Sequence, residues 1–374
     1  MSDREIAARA PSARASGIVA RGATASDRPA WDAFVAALPS GDPLQAWAWG
    51  DVAHTGGERP ERILAADPSG RVRGVAQVLV REAAVGHRVL YAPHGPAWDA
   101  AAPDAADVLD ALLAALRALG HAERGIVLKL DPRATADAGA ARLRALLRAR
   151  GLRRARADLQ ARTTRVLDLR AGADAVFAGL EKDTRNLVRR SAREGVRTRV
   201  VRGPDPAAYG AFAGLLAATG ARAGFRVRPA VAFEAIAAGY AVAGDACLVL
   251  AELDGEPIAG CLALTTGPRA FYLYAASRRE ERLRHANGAY AALWGCIEAL
   301  AAEGRESLDL WGVVEPGDEA ADPGWAGFSL FKRGFGGARL VHPGTFDLVL
   351  SPPWYALRDI RERLRHGGPV SSAS

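Results

Sequence analysis

Leu248-Val249-Leu250-Ala251-Glu252-Leu253, the pair Asp254-Gly255, and Pro257-Ile258-Ala259-Gly260-Cys261-Leu262-Ala263-Leu264-Thr265 make up the stretch on which the fold reading turns. Two apolar runs of strand length flank a dipeptide that favours a turn, so the stretch predicts two adjacent antiparallel strands. Ala270 to Ala275 continues as a third strand. A helix follows from about Asn287 to Ala302, with Leu293, Ile297 and Leu300 at helical spacing, and then a strand at Ser307 to Trp311. The same order stands earlier in the chain. Arg62 to Ala66 and Val72 to Val80 surround the turn Asp67-Pro68-Ser69-Gly70, and Arg88 to Ala92 is the third strand. The helix Asp104 to Leu119 carries Leu109, Leu112, Leu113 and Leu116, and Ile126 to Leu130 closes the unit. Gly74 and Gly260 fall at matching places. A strand–strand–strand–helix–strand unit is therefore duplicated, and mostly antiparallel strands with helices between them give a layered α+β fold.

Outside the two units, Ala140 to Arg150 and Glu181 to Glu194 read as helices closed by Gly151 and Gly195. Thr345 to Leu350 reads as a late strand, ahead of Pro352-Pro353 and a short basic helix. Such a strand could return to the first unit. The length of 374 residues suits two domains of about 100–200 residues each. The expected division is 17–165 plus 343–366 for the first and 166–342 for the second, with a disordered leader at 1–16 and a disordered tail at 367–374.

Composition narrows the function. With 49% hydrophobic and 24% charged residues, the chain has the balance of a soluble globular protein. No window reaches the 18 or so apolar residues of a membrane span, and no signal-peptide core follows the N-terminus, so a cytoplasmic location is expected. Cys247, Cys261 and Cys296 are scattered without a CxxC, which indicates buried thiols rather than zinc ligands or disulfides. The net charge of +7 and pI of about 9.7 permit an anionic partner. Lysine is rare: only Lys129, Lys182 and Lys332 occur. No GxSxG, Walker, HExxH or paired-cysteine motif is present, so the expected chemistry uses neither metal nor cofactor.

Five stretches carry the candidates. In Leu44-Gln45-Ala46-Trp47-Ala48-Trp49-Gly50, two tryptophans flank a helix start; they line a cleft or, more plainly, anchor the core. Tyr91-Ala92-Pro93-His94-Gly95-Pro96 is a fixed turn at a strand end. Arg185, Arg189 and Arg193 share one helix face that suits phosphates, although a solvated basic face is the plainer reading. In Phe331-Lys332-Arg333-Gly334-Phe335-Gly336-Gly337, aromatics bracket a lysine able to hold phosphate or a developing oxyanion; the alternative is a surface lysine on a turn. Strand alternation places Tyr272 and Tyr274 on one face, either in the core or facing a cleft.

Together these stretches resemble the Fem family of tRNA-dependent peptidoglycan aminoacyltransferases, from about Trp31 to Tyr355. The motifs are Leu44-Gln45-x-x-x-Trp49-Gly50, Tyr91-x-Pro93-x-Gly95-Pro96, Arg185-Asn186-x-x-Arg189-x-x-Ala192-x-Glu194-Gly195-Val196, Tyr274-Ala275-Ala276-Ser277 and Phe331-Lys332-x-Gly334-Phe335-Gly336. The resemblance implies two tandem acetyltransferase-like (GNAT, acyl-CoA N-acyltransferase) domains, with the C-terminal strand and helix packing back on the first. No sustained heptad marks the coiled-coil arm of some members. It implies Lys332 near the precursor's phosphates and the reaction centre, and precursor binding by Arg228 in Gly224-Phe225-Arg226-Val227-Arg228 and by Tyr274, or less readily Tyr272. Phe331 and Trp49 join this substrate-binding set. The sequence departs from the family where a lysine gives way to Ala53 and His54, a tyrosine to Ala232 and Phe233, and an arginine to His94. These departures bear on the precursor rather than on the fold.

The implied reaction moves Gly, Ala or Ser from aminoacyl-tRNA, a co-substrate, to the stem-peptide amine of a UDP-linked or lipid-linked muropeptide, with peripheral contact at the inner membrane face. The alternative is a GNAT-fold N-acyltransferase using acyl-CoA on a small amine or sugar. Against it, His285 and Tyr290 in Arg284-His285-Ala286-Asn287-Gly288-Ala289-Tyr290 stand where an Arg or Gln and a small residue would frame a CoA pyrophosphate. A third alternative is a non-catalytic protein that binds RNA or a membrane surface. If the Arg185, Arg189 and Arg193 face meets tRNA phosphates, the KM for tRNA rises roughly twentyfold to fortyfold between about 50 and 200 mM salt. Steady-state kinetics across a salt series checks this, and a KM indifferent to salt removes that face from the reaction.

Overall fold

The computed structural model describes residues 17–83, 86–224, 226–315 and 326–366. The expected leader, the expected tail and Phe225 lie outside them. The first half contains β1 (Val19–Gly22), α1 (Arg28–Ala37), α2 (Trp47–His54), β2 (Arg59–Ala66), β3 (Val72–Glu82), β4 (Arg88–Ala92), β5 (Ala97–Trp98), α3 (Ala105–Ala122), β6 (Gly125–Leu130), α4 (Asp137–Ala149) and β7 (Arg153–Arg154). The second contains β8 (Thr163–Asp168), α5 (Gly172–Gly179), α6 (Lys182–Arg193), β9 (Arg197–Val201), α7 (Pro206–Ala223), α8 (Ala230–Ile236), β10 (Ala246–Leu253), β11 (Glu256–Thr266), β12 (Arg269–Ser277), α9 (Gly288–Ala302), β13 (Ser307–Gly312), α10 (Ala326–Gly334) and β14 (Ala338–Val341). The chain then adds β15 (Phe346–Val349) and α11 (Pro352–His366).

The duplication is visible in the pairing. One sheet runs β1-β2-β3-β4-β6-β15-β7, and the other runs β14-β8-β13-β12-β11-β10-β9. Each contains one parallel pair, β4 with β6 and β12 with β13, joined by a helical crossover through α3 or α9. The remaining pairs are antiparallel. The units also exchange a strand. Strand β8 directly follows β7 yet inserts between β13 and β14 of the second sheet. Strand β15 follows β14 yet inserts between β6 and β7 of the first. The expected boundary at 165/166 runs through β8, which lies wholly in the second sheet.

Apolar periodicity explains the layers. Helix α3 buries Val108, Leu109, Leu112, Leu113 and Leu116 against the first sheet, and α9 buries Leu293, Cys296, Ile297 and Leu300 against the second. Cys247, Cys261 and Cys296 are free thiols within this second core. Gly74 and Gly260 match in sequence but not in environment. A Cβ on Gly74 would stand 2.8 Å from Leu112 Cδ1 in α3, whereas one on Gly260 would stand 3.0 Å from Phe212 Cδ2 in α7. On that α7 face, Leu44, Ala48, Trp49 and Val52 from the first unit join Phe212, Phe233, Ile236 and Leu262 in one core. The two units are therefore welded through α2 as well as by the exchanged strands.

Sequence patterning overlooked α1, α5, α7 and α8 as helices. Helix α7 is rich in alanine and glycine, so it lacks the leucine stripe that marks α3. The short edge strands β1, β9 and β14 carry few buried side chains, which leaves little pattern to read.

Phe346 sits fully buried in the exchanged strand β15. Phe346→Ala should cost about 3–5 kcal/mol by urea denaturation, with both units unfolding in one transition because they share strands. Separate transitions would mean that the exchange does not couple them.

Candidate active site

Lys332 lies in the last turn of α10, not on a surface turn, and its residue is 1% exposed. Three features hold it there. Gly334 lets α6 approach, since a Cβ at this position would collide with Thr184 Oγ1 at 2.2 Å. Phe335 is buried, and with Phe331 it packs around Tyr290 at centroid distances of 6.0 and 4.9 Å. Lys332 Nζ donates to the Gly312 carbonyl oxygen at 2.8 Å, where β13 ends in a bulge with Trp311 at φ 62. The amine also stands 4.0 Å from the Phe328 ring centroid and 5.7 Å from that of Tyr272. Burial pushes its pKa down to about 7, and the Asp309 carboxylate opposes the shift. The amine thus titrates far closer to neutrality than an exposed lysine. Pairing of β12 with β13 stops at Phe271 and Asp309, so the strands part beside this lysine.

Arg228, Tyr274 and Trp49 come together on the other face of the same sheet. The Arg228 guanidinium lies 5.0 Å from the Trp49 ring centroid. Burial raises the Tyr274 phenol, and a hydrogen bond with Arg228 together with its charge pulls the other way. Val227 and Arg228 border a cleft of about 560 Å³ between α7 and α8. Tyr272 and Tyr274 do not share a face, contrary to simple alternation. A bulge puts Leu273 out of register, so Tyr272 pairs with Ala263 and Tyr274 with the adjacent Leu262. Tyr272 therefore joins the α9 core beside Lys332, and Tyr274 joins Phe233 on the opposite side. Trp47 and Trp49 are both buried, yet they serve different cores, because an i, i+2 spacing points them to different sides of α2.

Between these places runs a buried ionic chain that pattern reading missed. Arg133, just after β6, bonds Asp42 Oδ2 at 3.1 Å and also grips Asp309 Oδ2 on β13. His94 Nδ1 stands 2.9 Å from the same Asp42 oxygen. Asp309 Oδ1 receives the Trp311 N–H at 2.7 Å and the Thr164 hydroxyl. Asp131 accepts from the His94 N–H at 2.6 Å and from the Tyr91 hydroxyl at 2.9 Å. Burial pushes Asp42 upward, but His94 and Arg133 outweigh it and leave its pKa lowered. Burial raises the Asp131 carboxyl to about 7, with His94 and the Tyr91 bond only partly opposing. One sequence signal was available: Asp309 is a carboxylate between Leu308 and Leu310 within a strand. Its partners, Asp42 and Arg133, look like ordinary loop charges.

The arginine face of α6 is divided. Arg185 donates to the Ala178 carbonyl at 3.0 Å and to that of Leu180, which caps α5. Arg189 stacks over Phe177 at 5.1 Å, and Arg193 is exposed. Among the described residues, no group of three or more His, Cys, Asp or Glu side chains is placed to hold a metal, and no helix is long and apolar enough to cross a membrane.

Comparison with known proteins fits this geometry. The acetyltransferase (GNAT) domain family matches residues 178–321. The lipid II:glycine glycyltransferase of Staphylococcus epidermidis is 30% identical over 234 residues, which cover 61% of this chain and 55% of that protein. The chain spans about half the length of the curated relatives it matches. A crystal structure of FemX superposes with a TM-score of 0.77 at 22% identity, covering 90% of this chain and 99% of FemX. A tandem GNAT protein from the clavulanic acid pathway gives 0.51 at 17%, covering 90% and 98%. The chain is therefore a protein of two tandem GNAT-like domains. Within that fold its similarity runs to lipid II:glycine glycyltransferases in sequence and to FemX in structure.

Removing Arg133 would leave Asp42 and Asp309 buried without their shared cation. Arg133→Ala is expected to lower stability by about 3–5 kcal/mol in urea. A loss under about 1 kcal/mol would show that the chain of charges does not brace the two units.

Proposed function

We propose that this protein is an aminoacyltransferase that moves an amino acid from aminoacyl-tRNA to the stem-peptide amine of a peptidoglycan precursor. The observation that carries the reading is Lys332, a buried amine of pKa about 7 at the point where β12 and β13 part, in a Fem-type fold. The similarity to lipid II:glycine glycyltransferases makes glycine the first donor to test and lipid-linked muropeptide the first acceptor.

The reaction is aminolysis of an ester. The acceptor amine attacks the ester carbonyl, a C–N bond forms, and the C–O bond to the tRNA ribose breaks. The amine's proton passes to the leaving oxygen, with a substrate phosphate as relay. The ester is already activated, so positioning and stabilisation of the oxyanion account for most of the catalysis, with no cofactor called for. In protonated form, Lys332 supplies that stabilisation or holds the phosphate beside it, and Phe328 and Tyr272 shield it from water. Arg228, backed by Trp49 and Tyr274, binds the pyrophosphate portion of the precursor. Arg189 and Arg193 contribute to holding tRNA, and the work is done on the cytoplasmic side, where the donor is made. The acyl-CoA alternative is weakened by Tyr290, whose ring packs on Phe331 and Phe335 where a small residue would make room for a pyrophosphate.

Purified protein incubated with radiolabelled glycyl-tRNA and lipid-linked or UDP-linked muropeptide should transfer label to the precursor. Label moving only from acetyl-CoA would overturn the proposal. Lys332→Ala should lower kcat at least about a hundredfold without unfolding the protein. Because the ammonium is the working form, kcat/KM should fall as pH rises through about 7, and Lys332→Arg should lack that fall. A wild-type profile flat from about pH 6 to 9 would remove Lys332 from this role.

A further inference from the structure

Helix α11 takes no part in the site described above. Its inner side is held to the first sheet. The Tyr355 hydroxyl donates to Asp347 Oδ2 at 2.8 Å, and the Trp354 ring meets His87 at 4.3 Å between centroids. Its outer side is different. Leu357 and Ile360 lie three residues apart, within one turn, and remain 56% and 55% exposed, with Arg361 exposed beside them. In sequence the helix carries Arg358, Arg361, Arg363 and Arg365 against Asp359 and Glu362. A cleft of about 310 Å³ runs alongside, bordered by Arg117, Arg153, Leu348, Tyr355 and Asp359.

We infer that α11 and this cleft dock the protein on an anionic phospholipid surface. Large aliphatic side chains on the outer side of a basic helix match the composition of helices that lie in a membrane interface. Leu357 and Ile360 enter the acyl-chain boundary, and the exposed Arg361 beside them meets lipid phosphates. Arg117 and Arg153 are placed to take a headgroup phosphate in the cleft. The chain's net charge of +7 favours an anionic surface. The inference serves the proposed function, since a lipid-linked acceptor is confined to a membrane, but it is argued from α11 and its cleft and not from that reading.

The test is co-sedimentation of the full chain with vesicles of phosphatidylcholine, with and without phosphatidylglycerol. The protein should pellet with the anionic vesicles, less so with the neutral ones, and less as salt rises. The double variant Leu357→Ser with Ile360→Ser should bind anionic vesicles about tenfold more weakly while keeping the wild-type Tm. It should keep wild-type transfer to UDP-linked muropeptide and lose rate only on vesicle-borne lipid-linked acceptor. Wild-type protein that ignores anionic vesicles, or a double variant that binds as well as wild type, overturns the inference. So does a wild-type dimer in sedimentation velocity that the double variant dissolves, because a second copy then occupies this face. Protein that docks but transfers to neither acceptor sinks the proposed function and leaves the docking surface standing.

Discussion

The grip of Arg133 on Asp42 and Asp309 is the contact on which the arrangement depends. Arg133 and Asp42 come from the first unit, and Asp309 lies on β13, one of the two parallel strands of the second. All three side chains are buried, so each ion has given up its water and depends on its partners for compensation. The bonds around Asp309 also shape the β13 terminus. Trp311 and Thr164 hold one carboxylate oxygen, the strand bulges, and the Gly312 carbonyl lies within reach of Lys332. The lysine thus occupies a position built partly by residues of the other unit.

Strand exchange imposes the same dependence at a larger scale. Neither sheet is complete without a strand whose chain neighbour belongs to the other. Together with the shared core around Trp49 and Phe233, this makes relative motion of the units costly. A rigid relation suits the proposed transfer, which would bring two large substrates to one point, where a displacement of an ångström lowers the rate steeply. Lys332 illustrates the other side of that design. Burial disfavours its charged form, and the nearby Asp309 carboxylate partly restores it.

The chain by itself determined a good deal. Apolar runs of strand length, the leucine stripes of α3 and the glycine-bearing turns specified the repeated unit, because burial periodicity and turn geometry are local properties. The Phe331 to Gly336 motif drew attention to Lys332 in a chain that otherwise prefers arginine; of the expected substrate-binding set, Trp49, Arg228 and Tyr274 stand together, while Phe331 and Tyr272 pack on the other face of the sheet. Tertiary structure alone decided the rest. The bulge at Leu273 separated Tyr272 from Tyr274, since one extra residue inverts the side of every side chain beyond it. The destinations of β8 and β15 depend on which open edge each strand meets, which no local pattern encodes. The pairing of Asp42, Arg133 and Asp309 spans 267 positions of sequence from Asp42 to Asp309, and only folding could show that these charges leave water and meet.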